Sequence, residues 1–472
     1  MRYLSTRGQA PALDFAAATL AGLAPDGGLY VPERWPDLGA EALDGLRGLA
    51  YPELAVRVMT PFLDGAVAAP EFAAPEFAAP EFAAMVRESY AGFDHPEVAP
   101  LRELREGEWL LELFHGPTLA FKDFALQLLG RLLDHLLEGQ GARATVLCAT
   151  SGDTGSAAIE ACRDRAALEV FILHPRGRVS EVQRRQMTTV ASSNVHNIAI
   201  EGTFDDCQAL VKAMFNDAPF RRELALFAVN SINWARVMAQ IVYYVHAAVA
   251  LGAPGRRIAF AVPTGNFGDV YAGYAAQAMG LPLGRLLVAT NKNDILARFF
   301  ATGRYAITAV EPTLSPSMDI QLASNFERLL FDLVGRDGTR VRAHMAALER
   351  DGAFEVAPAE LARAAEHFTS VRVGEDETLA TIAEVFKESG VLIDPHTAVG
   401  LHAARACHHD PATPIVVLAT AHPAKFPDAV ARATGLRPEL PAALADLMER
   451  EERYDVLSND LAAVESYIRD RA

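Results

Sequence analysis

Cysteine is scarce in this chain of 472 residues: Cys148, Cys162, Cys207 and Cys407 are all it has, and no two form a CxxC pair. So scattered a set excludes a disulfide framework and a zinc ribbon, and the four read as reduced, structural thiols. Positive charge is short as well, with 43 Lys and Arg against 60 Asp and Glu and a net charge of −17. That balance argues against a protein that clamps nucleic acid or anionic lipid by counterion release, while leaving room for a few cations and N–H groups to converge on an anionic metabolite. Long hydrophobic runs are missing too. The most apolar stretch, VMAQIVYYVHAAVALG, is broken by Gln240 and His246 and falls short of the roughly 20 residues that cross a bilayer. No compact apolar block precedes a small-residue cleavage site near the amino terminus, so no secretory signal is read and the cytoplasm is the expected compartment. Histidines and cysteines show no ligand spacing such as HExxH, and no metal is expected.

What remains is an ordinary globular composition, 51% hydrophobic and 22% charged, in a chain too long for a single core. Two or three domains are expected. PEFAAPEFAAPEFAA at 70–84 repeats a five-residue unit, far below a solenoid period, and its prolines at 70, 75 and 80 rule out one unbroken helix. It reads as a spacer, with Phe72, Phe77 and Phe82 able to pack along one side. LAPDGGLYVPERWP at 23–36 has the chemistry of a turn entering a short extended segment. From about residue 100, apolar β-type runs alternate with longer amphipathic segments, the pattern of parallel sheets covered by helices. The boundaries read are an amino-terminal unit over 1–95, a smaller α/β domain over 96–240 and a larger one over 241–472, the last two free to exchange segments.

Three junctions carry chemistry. A strand over 144–149 runs into Ser151-Gly-Asp-Thr-Gly155 and a helix; a strand over 257–262 runs into Pro263-Thr-Gly-Asn-Phe-Gly268 and a helix from about Asp269. Backbone N–H groups at such turns lack helical partners and attract a phosphate or a carboxylate. Neither turn is a Walker A loop or GxGxxG. The third junction ends a β-type run at 414–419 with Thr420, whose hydroxyl can bond a ring nitrogen without forcing a full charge on it. One lysine, Lys122 in HGPTLAFKDFA, stands between Phe121 and Phe124 at the mouth of an apolar run. Burial there favours the neutral amine that condenses with an aldehyde; a snorkelling lysine at a helix start is the alternative.

HGPTLAFKDFA, ATSGDTGSAA, NSINWAR, PTGNFGD, ATNKNDILARF and ATAHPAKF stand in the order in which threonine synthases carry them, and the chain resembles that family from near residue 22 to near 426. The resemblance implies an α/β fold of the type II pyridoxal phosphate enzymes, similar to the tryptophan synthase β subunit, with two open twisted sheets covered by helices and an amino-terminal unit. It implies conversion of O-phospho-L-homoserine and water into L-threonine and phosphate by γ-elimination and β-addition. Lys122 resembles the family's Schiff-base residue, and Gly265, Asn266, Phe267, Gly268 and Asp269 its cradle for the cofactor phosphate. Thr420 resembles the partner of the ring nitrogen. Ser151, Gly152, Asp153, Thr154 and Gly155 resemble the loop for the substrate carboxylate; Asn233, Arg236, Lys292 and Asn293 are candidates for the leaving phosphate, and His115 and His422 for proton relay. SPSMDIQLASNFERLL fits the family pattern only approximately, and neither it nor the repeat is expected to touch the lysine or the cradle. The implied partner is the small substrate alone, with no nucleic acid or membrane and with monomer and homodimer both open. A serine or threonine dehydratase would keep the lysine and a cradle without a second phosphate site; a sensor would bind cofactor without turnover.

Overall fold

The computed structural model describes residues 1–63, 79–229, 231–408 and 410–472. The chain forms two compact units, one built from 1–115 and 231–438, the other from 116–230 and 439–472. Each is organised by its own sheet.

In the first unit six strands lie in the order Phe368–Arg372, Leu283–Thr290, Ile258–Pro263, Ile415–Ala419, Glu108–Glu112 and Leu101–Arg105. All neighbours run parallel except the last two, which form an antiparallel pair at the edge. Ile258–Pro263 is buried at every position, as a strand covered on both faces must be. Ala259, Ala261, Leu287, Val417 and Ala419 meet the helix Pro395–Cys407 through Ala398, Val399 and Leu401. Parallel strands place their carboxyl ends on one edge of the sheet. The residues that follow are Asn291–Asn293, Thr264–Phe267, Thr420 and Leu113–His115.

The amino-terminal segment belongs to this unit. Tyr3–Ser5 pairs antiparallel with Tyr30–Pro32 after the turn expected at Pro25–Gly28. Tyr3, Trp35 and Phe62 pack their rings on Trp234 at centroid distances of 5.7–6.1 Å. Residues 70–78 of the repeat, including Phe72 and Phe77, lie outside the described residues. The third copy opens the helix Ala79–Tyr90, with Pro80 in its first turn, where proline removes no helical bond, and Phe82 is buried.

In the second unit five parallel strands lie in the order Asp455–Ser458, Val195–Glu201, Leu168–Pro175, Ala144–Ala149 and Leu226–Phe227. Leu147, Phe171, Leu173, Ile198 and Ile200 pack on the helices Phe204–Asn216 and Leu461–Arg469 through Cys207, Leu210, Met214, Val464 and Ile468. The chain's last strand and helix therefore complete a sheet begun three hundred residues earlier. All four cysteines are free thiols; Cys148, Cys162 and Cys207 are buried and Cys407 is exposed. Among the described residues no helix is long and apolar enough to cross a membrane.

Candidate active site

Lys122 is the first residue of the helix Lys122–Gly139 and is 8% exposed, so it does not snorkel. The preceding turn is tied to the helix by Asp123, whose carboxylate accepts from Thr118 N at 2.8 Å and Thr118 Oγ1 at 2.6 Å. Lys122 Nζ sits 4.8 Å from the Phe121 ring centroid, a cation–π contact, and donates to Asp153 Oδ2 at 3.3 Å. The expected apolar surroundings thus include a carboxylate, and a carboxylate at that distance stabilises the ammonium form that burial alone would disfavour.

Asp153 opens the helix Asp153–Cys162 at the end of the strand Ala144–Ala149, where its charge complements the helix dipole. Its second oxygen, Oδ1, accepts from Gln183 Nε2 at 2.7 Å. Gly152 has φ +142°, a conformation closed to most side chains. The turn's N–H groups are not all available, because Thr150 Oγ1 accepts from both Gly152 and Gly155 at 2.9 Å. Ser151 and Thr154 are half-buried, their hydroxyls the polar groups a carboxylate would meet.

In the first unit the expected cradle joins the strand Ile258–Pro263 to the helix Gly268–Ala278. Phe267 has φ +63° and is buried among Phe300, Phe326 and Phe368, so aromatic packing holds the turn in a strained backbone conformation. Among the described residues the N–H groups of Gly265, Asn266, Phe267 and Gly268 donate to no protein acceptor. Four unspent donors at a helix amino terminus fit a phosphate. Asp269 does not oppose it electrostatically without compensation: Oδ1 accepts from Tyr243 and Tyr244 hydroxyls at 2.6 and 2.9 Å. Burial, and then the Asp269 charge, push both tyrosines well above the usual phenol range, so both remain donors.

The SPSMDIQLASNFERLL segment packs on the expected cradle turn, contrary to the expectation from sequence that it would not touch it. A Cβ at Gly265 would meet Ser317 O at 2.7 Å and Ile320 Cδ1 at 3.0 Å. Asn325 N donates to Asn266 O at 3.0 Å, and Asn325 Nδ2 reaches Ser231 O at 3.1 Å. Arg328 is fully buried behind it, bonded to Asn325 Oδ1, to Tyr30 O at 3.0 Å and to Ile232 O at 2.5 Å. Burial lowers its pKa to about 10, still charged at neutral pH.

The phosphate-site candidates divide by what their side chains already do. Asn233 caps the helix Trp234–Ala250 through Ala235 N and donates to Thr19 O at 2.9 Å, while Arg236 is buried in its first turn. Asn293 bonds Asn291 Oδ1, Glu311 O and Asp319 Oδ1; Lys292 between them is half-buried. Thr420 is 6% exposed at the strand's carboxyl end. His422 Nδ1 accepts from Ala424 N, its ring lies 5.3 Å from Phe114, and burial, then the nearby His115, lower its pKa to about 4. His115 Nε2 bonds Glu112 Oε2 at 2.7 Å. Sequence reasoning missed Gln183, Asp123, Thr150, Asn325 and Arg328. Only Asp123 carried a local signal, an acid one place after the lysine in a helix's first turn.

A family model described as pyridoxal-phosphate dependent enzyme matches residues 94–348, more than half of the chain. This defines the class, and the unspent N–H donors of the 265–268 turn are of the kind that can receive a cofactor's phosphate. Models described as the threonine synthase N terminus and the threonine synthase C-terminal region match 2–90 and 397–468. The chain is 57% identical to threonine synthase of Pseudomonas aeruginosa, over 99% of this chain and 98% of that one. It is 43% identical to threonine synthase of Methylobacillus glycogenes, over 99% of each. A crystal structure of threonine synthase from Brucella melitensis with bound pyridoxal phosphate superposes with a TM-score of 0.96 at 54% identity, covering 100% of this chain and 99% of that one. The chain belongs to the threonine synthase family.

Proposed function

We propose that this enzyme uses pyridoxal phosphate to convert O-phospho-L-homoserine and water into L-threonine and inorganic phosphate, and that its residues divide the work as follows. The bound cofactor supplies an aldehyde for amines to join and a ring that withdraws electrons from the substrate's carbons. Lys122 would hold the aldehyde end, and its free amine would carry protons at Cα, Cβ and Cγ. The N–H groups of the turn Gly265–Gly268 receive the cofactor phosphate, with Asp269 ordering the first helical turn through its two tyrosines. The Thr420 hydroxyl would hold the ring nitrogen without forcing a full positive charge on it, which would temper electron withdrawal and favour elimination over transamination.

Two anions of the substrate need separate receivers. The turn Ser151, Gly152, Asp153, Thr154 and Gly155 takes the α-carboxylate, chiefly through the Ser151 and Thr154 hydroxyls. Lys292 and Arg236 supply cationic charge for the leaving phosphate, with Asn233 and Asn293 fixing the backbone that carries them. We place the enzyme in the cytoplasm, in keeping with its four free thiols. The observation that carries the reading is the buried Lys122, accompanied by the four unspent N–H donors of the cradle turn.

The test incubates holoenzyme and Lys122→Ala with O-phospho-L-homoserine and quantifies phosphate and threonine together. Equal amounts of both, dependent on Lys122, are expected. Phosphate without threonine would point to a diverted lyase, turnover of free serine or threonine alone to a dehydratase, and cofactor binding with no product to a sensor.

A further inference from the structure

Gln183 sits in the helix Glu181–Thr188, outside every motif used above, yet its side chain ends on the acid that faces the lysine. Gln183 Nε2 donates to Asp153 Oδ1 at 2.7 Å while Asp153 Oδ2 receives Lys122 Nζ at 3.3 Å. The amide is oriented from behind, since Ser180 Oγ donates to Gln183 Oε1 at 2.9 Å and so turns the NH2 group toward Asp153. Ser180 also caps the helix by accepting from Gln183 N. Close packing adds to this: a Cβ on Gly152 would come within 2.5 Å of the Gln183 amide carbon, so the turn's backbone rests on the amide. One turn further along, Gln186 Nε2 donates to Thr118 O at 3.1 Å, joining the same helix to the segment that leads into Lys122.

We propose that Gln183 is a positioning residue, holding Asp153 with one oxygen toward Lys122 so that this carboxylate is the counter-charge of the lysine's ammonium form. The inference rests on the reading of Lys122 as the proton carrier. When the amine takes a proton from a substrate carbon, its lone pair forms the new N–H bond and the electron pair of the broken C–H bond stays on carbon. The buried ammonium that results is costly unless a carboxylate stands against it. A carboxylate free to rotate would serve part of the time only, and the Gln183 amide removes that freedom.

The test compares wild type with Gln183→Met, which fills the same space without a donor, and Gln183→Glu. In the cofactor-free protein, Lys122 is acetylated with acetic anhydride across a pH series and its peptide read by mass spectrometry. Of the other lysines, Lys212, Lys292, Lys387 and Lys425, the exposed Lys212 and Lys387 act as internal references. Loss of the fixed counter-charge moves the half-reaction pH of Lys122 down by about 1 unit in Gln183→Met and leaves the references in place. In the holoenzyme kcat falls about tenfold with KM inside about twofold, because the contact matters most once the proton has moved. Gln183→Glu donates only while it shares a proton with Asp153, so its activity recovers toward acid pH and falls as pH rises. An unshifted Lys122 profile in Gln183→Met, whether or not the variant loses thermal stability, overturns the proposal. Wild-type protein that makes no threonine would sink the assigned reaction instead, and the acetylation profile would still report on Gln183.

Discussion

Gly265→Ala puts a methyl group where the cradle has no space. The added Cβ lies 2.7 Å from Ser317 O, 3.0 Å from Ile320 Cδ1 and 3.3 Å from Met318 Cα, so the collision is largely with backbone. That backbone cannot easily withdraw: Ser317 N donates to His396 Nε2 at 3.2 Å, and Met318 is buried in the core beneath the sheet. The turn must move instead, carrying its N–H groups away from the cofactor phosphate. A hydrogen bond to a charged group contributes about 1.5–3 kcal/mol, so losing one weakens cofactor binding by roughly 10- to 100-fold. Overpacking costs a further ~1–3 kcal/mol of folding stability, seen without cofactor. Titration of the cofactor-free protein with pyridoxal phosphate, followed by absorbance, gives the first quantity, and urea unfolding the second. Gly92→Ala, where an added Cβ meets nothing within 4 Å, is the matched control. A Gly265→Ala protein that binds the cofactor within about threefold of wild type would refute the assignment of this turn as the phosphate cradle.

Other substitutions test other links. Arg328→Met leaves the buried acceptors Tyr30 O, Ile232 O and Asn325 Oδ1 without their donor, and at ~1–3 kcal/mol each urea unfolding should register at least ~3 kcal/mol of lost stability. Asp123→Ala strands the Thr118 N–H and loosens the turn before Lys122; ~2–3 kcal/mol of stability is lost, and stopped-flow absorbance should show slower capture of the cofactor. His174, 1% exposed, has its pKa lowered by burial from 6.5 to about 4. The unfolded chain therefore binds more protons in that window, and the His174 contribution, present above pH 6.5, is lost as pH falls toward 4, on the order of 3 kcal/mol in all. His174→Leu should flatten the drop in urea midpoint between pH 7 and pH 4.5.

Local signals made the three junctions legible. The strands Ala144–Ala149, Ile258–Pro263 and Ile415–Ala419 fall within a residue of their expected spans, because an apolar β-type run stopped by glycine or a hydroxyl is written in consecutive residues. Lys122 opens its helix for the same reason. Pairings between distant segments were not legible. Nothing near residue 455 announces that Asp455–Ser458 adds to the Val195–Glu201 strand, or that Glu108–Glu112 lies beside Ile415–Ala419; which strands become neighbours depends on how whole layers pack. The same holds for the site. Asn325 N bonds Asn266 O in the proposed cradle turn from 59 positions away in the chain and Gln183 reaches Asp153 from 30, so both acquire a role only after folding. Asn233 and Asn293, candidates for the leaving phosphate, also bond backbone, a use that asparagine takes up as readily as ligand binding and that the local sequence does not announce.

In the proposed reaction the phosphate leaves from carbon and water enters at the neighbouring carbon, and isotope labelling reads both events at once. Holoenzyme and O-phospho-L-homoserine are incubated in water enriched in oxygen-18, and the products are weighed by mass spectrometry. Elimination followed by hydration puts one labelled oxygen in threonine, in its hydroxyl, and none in the released phosphate, since the C–O bond breaks and the phosphate keeps all four of its oxygens. Label in the phosphate, with homoserine in place of threonine, would mean hydrolysis at phosphorus and would contradict it.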